Sequence, residues 1–293
     1  MSPSAPTPPV TTTPAPQALT HYENFPVASL LCPPHLRPAI TAIYHFARTA
    51  DDLADEGEVD VRTRLADLQA YRADLLASTC GQTDSGRWTN VFAPLQHIVQ
   101  THQLPVQLLT DLLDAFEQDV RYTHEQRRYT DEPELLDYCR RSANPIGRLL
   151  LHLYGVTDPL SQQQSDQICS ALQLINFWQD VSVDAQRGRW YITQAALVRF
   201  GLTEADFSPA SQNPNAARLI ADNVRSARAL MLQGAALPMK VPGRAGWELR
   251  LVVQGGLRIL GKIEALGCVT WQKRPKLGIW DVPVLLWRAV WMR

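Results

Sequence analysis

A chain of 293 residues, 45% hydrophobic and 19% charged, can bury a substantial core and has an ordinary globular composition. Its formal net charge of −1 provides no basic field for nucleic acid, so no nucleic-acid partner is expected. Five cysteines, odd in number and without a CxxC pair, argue against a disulfide framework or a zinc site and fit a reducing cytoplasm. The N-terminus lacks the basic and apolar regions of a signal peptide, and no apolar run approaches the ~20 residues that span a bilayer. The expected location is cytoplasmic, with peripheral attachment at the inner face of a membrane as the alternative.

Residues 1–17 are Pro, Thr, Ser and Ala with little apolar bulk, a composition that predicts disorder. From there to residue 293 the pattern predicts one all-α domain, helix following helix. Apolar residues recur at three- and four-residue intervals, as in Ile40, Ile43, Ala47, Ala50 and Ala54, and alternating strand patterns are nearly absent. Breakers divide the segments around residues 80–90, at Pro105, Pro133 and Pro159, at 187–189, 209–214 and 237–246. Thr130 or Asp131 before Pro133, and Asp158 before Pro159, are placed to cap helix starts.

Two helices carry the chemistry. Tyr44, Arg48, Asp51 and Asp55 are spaced four, three and four, which stacks them on one helical stripe beside the apolar one. Two carboxylates one turn apart repel unless a cation lies between them. Taken alone, such a pair is most often a solvated acidic face. The second set, Gln173, Asn176, Asp180 and Asp184, is spaced three, four and four among Leu172, Ile175 and Phe177, residues of a largely buried helix. Charge and amide groups on a buried helix need partners. Arg187 and Arg189 follow on either side of Gly188. Oxygen ligands from two helices, with arginines at both, suit magnesium and a phosphate-rich substrate, because magnesium is usually held by one or two carboxylates plus the substrate's own phosphates.

These motifs resemble the squalene and phytoene synthases, which join isoprenoid diphosphates head to head. The resemblance runs from about His21 to Arg274. Asp51 and Asp55, with Tyr44 and Arg48, match the family's first aspartate motif, and Asn176, Asp180 and Asp184, preceded by Gln173, match its second. The segment HYENFPVASLL resembles the family's opening segment, which implies substrate contact for His21 and Phe25. DYCRRSANPIG resembles its mid-chain helix, with Tyr138 at a cavity tyrosine. The resemblance implies a class I isoprenoid synthase fold (a single helical bundle around a central cavity), an isoprenoid diphosphate substrate and a Mg2+ cluster held by Asp51, Asp55, Asn176, Asp180 and Asp184. In that scheme Arg48, Arg187 and Arg189 neutralise the diphosphate, and Tyr44, Tyr138 and Phe25 shelter a carbocation. Tyr191 joins the substrate-binding set.

Two departures narrow the resemblance. A polar, proline-broken run, Ser142-Ala143-Asn144-Pro145, replaces a small apolar run common in relatives, and Arg258 stands where several carry tyrosine. With HYENFPVAS and the C-terminal RPKLGIWDVPVLLWRA, they resemble the hopanoid-pathway squalene synthase branch, in which presqualene diphosphate is ionised and water captures the cation to give hydroxysqualene. Asn144 and Arg258 would suit water capture. The alternatives are condensation of two farnesyl or geranylgeranyl diphosphates, and a catalytically silent binding protein.

Other features carry less. Histidines 45, 97, 102, 124 and 152 show no metal spacing, and no GxGxxG or P-loop marks a nucleotide site. Asp114 and Asp119, five apart, are expected to be a solvated or packing pair. Trp280, Trp287 and Trp291 with Arg288 and Arg293 fit either an interfacial membrane helix or a segment that closes the core.

Overall fold

A computed structural model of the chain describes residues 32–292. The expectations for residues 1–17, His21 and Phe25 lie outside the described residues. The described residues are 73% helical, without a strand, and twelve α-helices follow one another among them.

Helix α1 (Arg37–Asp55) opens with Pro38 in its first turn, where a missing N–H costs nothing. Its apolar stripe is buried as expected: Ile40, Ile43, Ala50 and Ala54 face inward with Phe46. Each large side chain among these contributes roughly 1.5–3 kcal/mol by leaving water. The stripe packs against α3 (Thr89–His102) and α4 (Val106–Glu125), while α2 (Val61–Thr79) closes the layer. Phe46, Tyr71 and Phe92 form the aromatic centre of this half, with the Phe46 and Tyr71 rings stacked at 5.3 Å.

The second half gathers around α7 (Pro159–Gln179), which packs on α5 (Glu132–Ser142), α6 (Asn144–Leu153), α10 (Pro214–Gly234) and α11 (Gly243–Ala265). The expected caps form: Asp131 accepts from Glu134 N–H at 3.0 Å and Asp158 from Ser161 N–H at 2.9 Å. Close approach around α7 depends on glycine. A Cβ at Gly234 of α10 would lie 2.6 Å from the backbone carbonyl oxygen of Gln164 on α7, so Gly234→Ala would force the two helices apart.

One local difference from the sequence pattern bears on the site. The second acidic stripe is not one uninterrupted helix. Helix α7 ends at Gln179, and α8 (Val181–Gln186) starts after Asp180, whose backbone (φ −107°, ψ 17°) breaks the helical geometry. Asp180 still donates its N–H to Asn176 O, and its carbonyl accepts from Val183 and Asp184, so the bend preserves the three-to-four spacing. The short α9 (Gln194–Phe200) follows, and the turn between α8 and α9 brings Arg187, Arg189 and Tyr191 back across the bundle.

After α11 the chain crosses the end of α7, where Gln179 Nε2 donates to Pro275 O at 2.8 Å. It ends in α12 (Val282–Trp291), which leans on α11. Of α12 only Ala289 is fully buried, so this helix does not close the core.

Candidate active site

The two stripes meet through arginines. Arg189 Nη2 donates to Asp55 Oδ1 at 2.6 Å and Arg187 Nη1 to Asp55 Oδ2 at 3.1 Å, so both cations beyond α8 reach the last aspartate of α1. Arg48 pairs along α1 with Asp51 (2.9 Å), Asp52 (2.6 Å) and Glu56 (2.5 Å). Arg274, on the C-terminal crossing, binds Asp180 through both Nε and Nη2, the latter at 3.0 Å. Asp51, Asp55, Asp180, Asp184, Gln173 and Asn176 are all half-buried.

Electrostatics set these carboxylates apart from ordinary surface acids. Burial pushes Asp184 up to about 7, Asp180 adds to the rise, and Arg189 and Arg187 oppose it. Asp51 is raised by burial against the pull of Arg48, with Asp55 adding to the rise. Concentrated negative charge in a partly dry site is costly, and a dication would relieve it. The donor set is carboxylate and carboxamide oxygen, which suits a hard cation such as magnesium. Among the described residues no three acidic, imidazole or thiol groups converge closely enough to hold a metal unaided. Magnesium usually draws its remaining ligands from substrate phosphate. Asp51 and Asp55 on one side, and Asn176, Asp180 and Asp184 on the other, would hold it.

An aromatic box adjoins the carboxylates. Tyr191 stacks on Phe177 with centroids 3.6 Å apart, and Tyr138 stands 6.2 Å from Phe177 and 6.1 Å from Tyr191. Tyr129 completes it at 5.7 Å from Tyr138. Burial and the negative charge of Asp119 hold the Tyr138 hydroxyl well above its usual range, so it stays a donor. Two narrow clefts flank Arg189 and Tyr191, one lined by Phe177, Trp178 and Asp184, the other by Asp119, Tyr122 and Tyr129.

The structure corrects the reading of Asp119. Asp114 binds Arg72 at 2.6 Å, away from the site, but Asp119 accepts the Tyr138 hydroxyl at 2.5 Å and lines a pocket with Arg189 and Tyr191. Burial pushes it up to about 6, against the pull of Arg189. The signal was present in the sequence: Leu112, Ala115 and Asp119 are spaced three and four, placing a carboxylate on a buried stripe. Arg274, Tyr129 and Phe177 were also missed. Arg274 follows no helical stripe, and the two rings are indistinguishable from core residues by pattern.

The remaining expected residues fall in three places. Tyr44 is half-buried on the α1 stripe. Asn144 is buried at the start of α6, its Oδ1 accepting from Ser170 Oγ at 2.9 Å, one turn before Gln173 on α7. Arg258 has a partner outside the stripes: its Nε donates to Asp281 at 2.7 Å, and Lys262 joins the same carboxylate.

An all-helical bundle with two facing acidic stripes, arginines between them and an aromatic box defines the class of isoprenoid synthases. Residues 19–281 match the family described as squalene/phytoene synthase, and the chain belongs to that family. It is 38% identical over 187 residues to a hydroxysqualene synthase of Zymomonas mobilis, covering 63% of this chain and 59% of that relative's length. A hydroxysqualene synthase of Sinorhizobium fredii is 30% identical over 253 residues, 86% of this chain and 82% of the relative. Among solved structures, squalene synthase HpnC from Alicyclobacillus acidocaldarius superimposes with a TM-score of 0.74 at 38% identity, covering 84% of this chain and 90% of the other.

Proposed function

We propose that this protein is a magnesium-dependent synthase that ionises presqualene diphosphate and lets water capture the cation, giving hydroxysqualene, inorganic diphosphate and a proton. The observation that carries the reading is the joining of both acidic stripes by Arg187 and Arg189 at Asp55, directly beside the Tyr138–Phe177–Tyr191 box. Its support from likeness is the hydroxysqualene synthases among the relatives.

Asp51, Asp55, Asn176, Asp180 and Asp184 would hold magnesium, which when bound supplies Lewis-acid stabilisation of charge on the diphosphate oxygens. Arg48, Arg187, Arg189 and Arg274 lie where they can neutralise the remaining charge. Each is paired with a carboxylate, so diphosphate would exchange one anionic partner for another. The carbon–oxygen bond then breaks with its electron pair leaving on the diphosphate. The Tyr138, Phe177 and Tyr191 faces stabilise the carbocation and exclude bulk water. Water adds through its oxygen and releases one proton. Asn144, fixed by Ser170 next to the α7 stripe, is the polar group we assign to holding that water; Arg258 positions the C-terminal wall through Asp281.

Incubation of the purified protein with presqualene diphosphate, magnesium and oxygen-18 water tests the reading. The expected product is an alcohol carrying the label, with no response to a nicotinamide reductant. Reductant-dependent squalene, or presqualene diphosphate made from farnesyl diphosphate alone, would place the protein at a different step.

A further inference from the structure

The elements after α11 present an apolar face that the other described residues leave uncovered. Ile279 (79% exposed), Trp280 (88%), Leu286, Trp287 (66%), Val290 and Trp291 all face solvent, while Ala289 beneath them is 1% exposed. Trp287 and Trp291 are one turn apart with ring centroids at 5.6 Å, so they form one surface. The face continues onto α11. Arg250 Nη1 donates to Ala289 O, its guanidinium stands 4.2 Å over the Trp247 ring, and Nη2 contacts Met239 Sδ. Trp247 and Met239 are themselves exposed. Scattered surface apolar residues need no explanation, but a contiguous patch with three or four indoles does.

Charge identifies what covers it. Exposed Lys273 and Lys276 lie on the segment leading into the α12 part of the face, exposed Arg288 lies on α12 itself, and exposed Lys240 and Arg244 precede Trp247. From residue 266 onward the only acidic residue is Asp281, which is 3% exposed and neutralised by Arg258 and Lys262. A second copy would bring this same positive rim against itself. An anionic bilayer would meet it with opposite charge, and indoles with cationic side chains suit the headgroup–acyl boundary. No helix among the described residues is long and apolar enough to cross a membrane, and α12, ten residues or about 15 Å long, can only lie in the interface.

We infer that α12, its preceding turn and Trp247 form a docking surface for anionic phospholipid. The two cations on Asp281 hold α12 to α11, and the same C-terminal crossing delivers Arg274 to Asp180, so docking seats one wall of the site on the lipid. A synthase of the kind proposed above would thereby meet and release its hydrocarbon chains at the bilayer surface.

Flotation of the full chain with phosphatidylcholine vesicles, with and without phosphatidylglycerol, tests the surface without any substrate. Binding is expected only to the anionic vesicles, weakening as salt is raised. The triple change Trp280→Ser, Trp287→Ser and Trp291→Ser should weaken it about tenfold or more. Neutralising Lys273, Lys276 or Arg288 to Gln should cost about fivefold each. All of these side chains are exposed, so a matching melting temperature checks that each variant folds. Failure of the full chain to bind any vesicle, or binding that the tryptophan changes leave intact, overturns the inference. So does a concentration-dependent dimer that those changes abolish while vesicles are ignored. Product analysis is read separately, so an error in the proposed reaction leaves this result standing.

Discussion

Arg189 and Asp55 lie 134 residues apart in the chain, yet their side chains meet at 2.6 Å and join the two acidic stripes. Arg189 is also recessed, with a side chain 19% exposed, so its charge acts in a medium poorer than water. The pair holds the α8–α9 turn against α1 and, in the proposed reaction, keeps a cation where diphosphate oxygens would arrive.

Replacing Arg189 with Gln should therefore cost stability and turnover separately. Removing one partner of a partly buried pair should lower stability by about 1–2 kcal/mol. Adding Asp55→Asn should recover part of that loss in thermal unfolding, because the carboxylate, then held by Arg187 alone, becomes a neutral amide. Turnover should stay at least about a hundredfold down in both, since neither variant restores the cation or the ligand. Recovery of turnover in the double variant would assign the pair a purely structural role.

Asp119 gives a stability prediction of the opposite sign. Its pKa is raised to about 6 in the folded protein, above about 4 in an unfolded chain. The penalty for its charge is thus absent at pH 4, grows as pH rises between those values, and is complete above pH 6. Asp119→Asn keeps an acceptor for the Tyr138 hydroxyl and removes the penalty. The variant should be more stable than the parent by about 1 kcal/mol at pH 8, with melting curves converging near pH 4, and it should turn over more slowly.

Asp281 behaves conversely. Burial alone would raise its carboxyl, but hydrogen bonds from Lys262, Gly278 N–H and Arg258 hold it well below the usual range. Its contribution is present above the unfolded carboxylate's pKa and fades as pH falls through the lower, folded value. Asp281→Asn should lower the melting temperature by about 2–4 °C at neutral pH, a gap that closes only in strong acid. Protease nicking near α12 should rise in parallel.

Asn144→Leu tests how water is held. Leucine removes the acceptor of the Ser170 hydroxyl and offers water no polar partner. Ionisation at the carboxylates should continue, so diphosphate release should change little while labelled alcohol gives way to eliminated hydrocarbons. Ser170→Ala should produce a milder shift of the same kind. An unchanged product ratio in both would remove Asn144 from the mechanism.

How far the sequence could be read follows from what periodicity records. The α1 stripe was legible in full because one unbroken helix carries both its buried and its polar rows. The α7–α8 stripe was legible in spacing although not in geometry: the bend at Asp180 preserves three-to-four spacing, and spacing is all that a sequence displays. Asp119 was passed over because it was measured against Asp114 instead of against Leu112 and Ala115, which share its stripe. Arg274 could not be read, because it reaches Asp180 from an irregular crossing 94 residues away. Tyr129 and Phe177 look like any core aromatic until Tyr138 and Tyr191 are placed beside them. For Arg258 the motif gave a position in the chain, and the structure supplied its partner, Asp281.

The central claim is that both stripes act together on one metal–diphosphate unit, and calorimetric titration of magnesium tests it most directly. The parent protein should take up magnesium weakly alone and far more tightly once inorganic diphosphate is present, because the carboxylates supply only part of the coordination. Asp51→Asn and Asp184→Asn, one in each stripe, should each abolish the diphosphate-dependent uptake while leaving helical content intact. Tight magnesium binding without diphosphate, or parent-like uptake by either variant, would contradict a shared site.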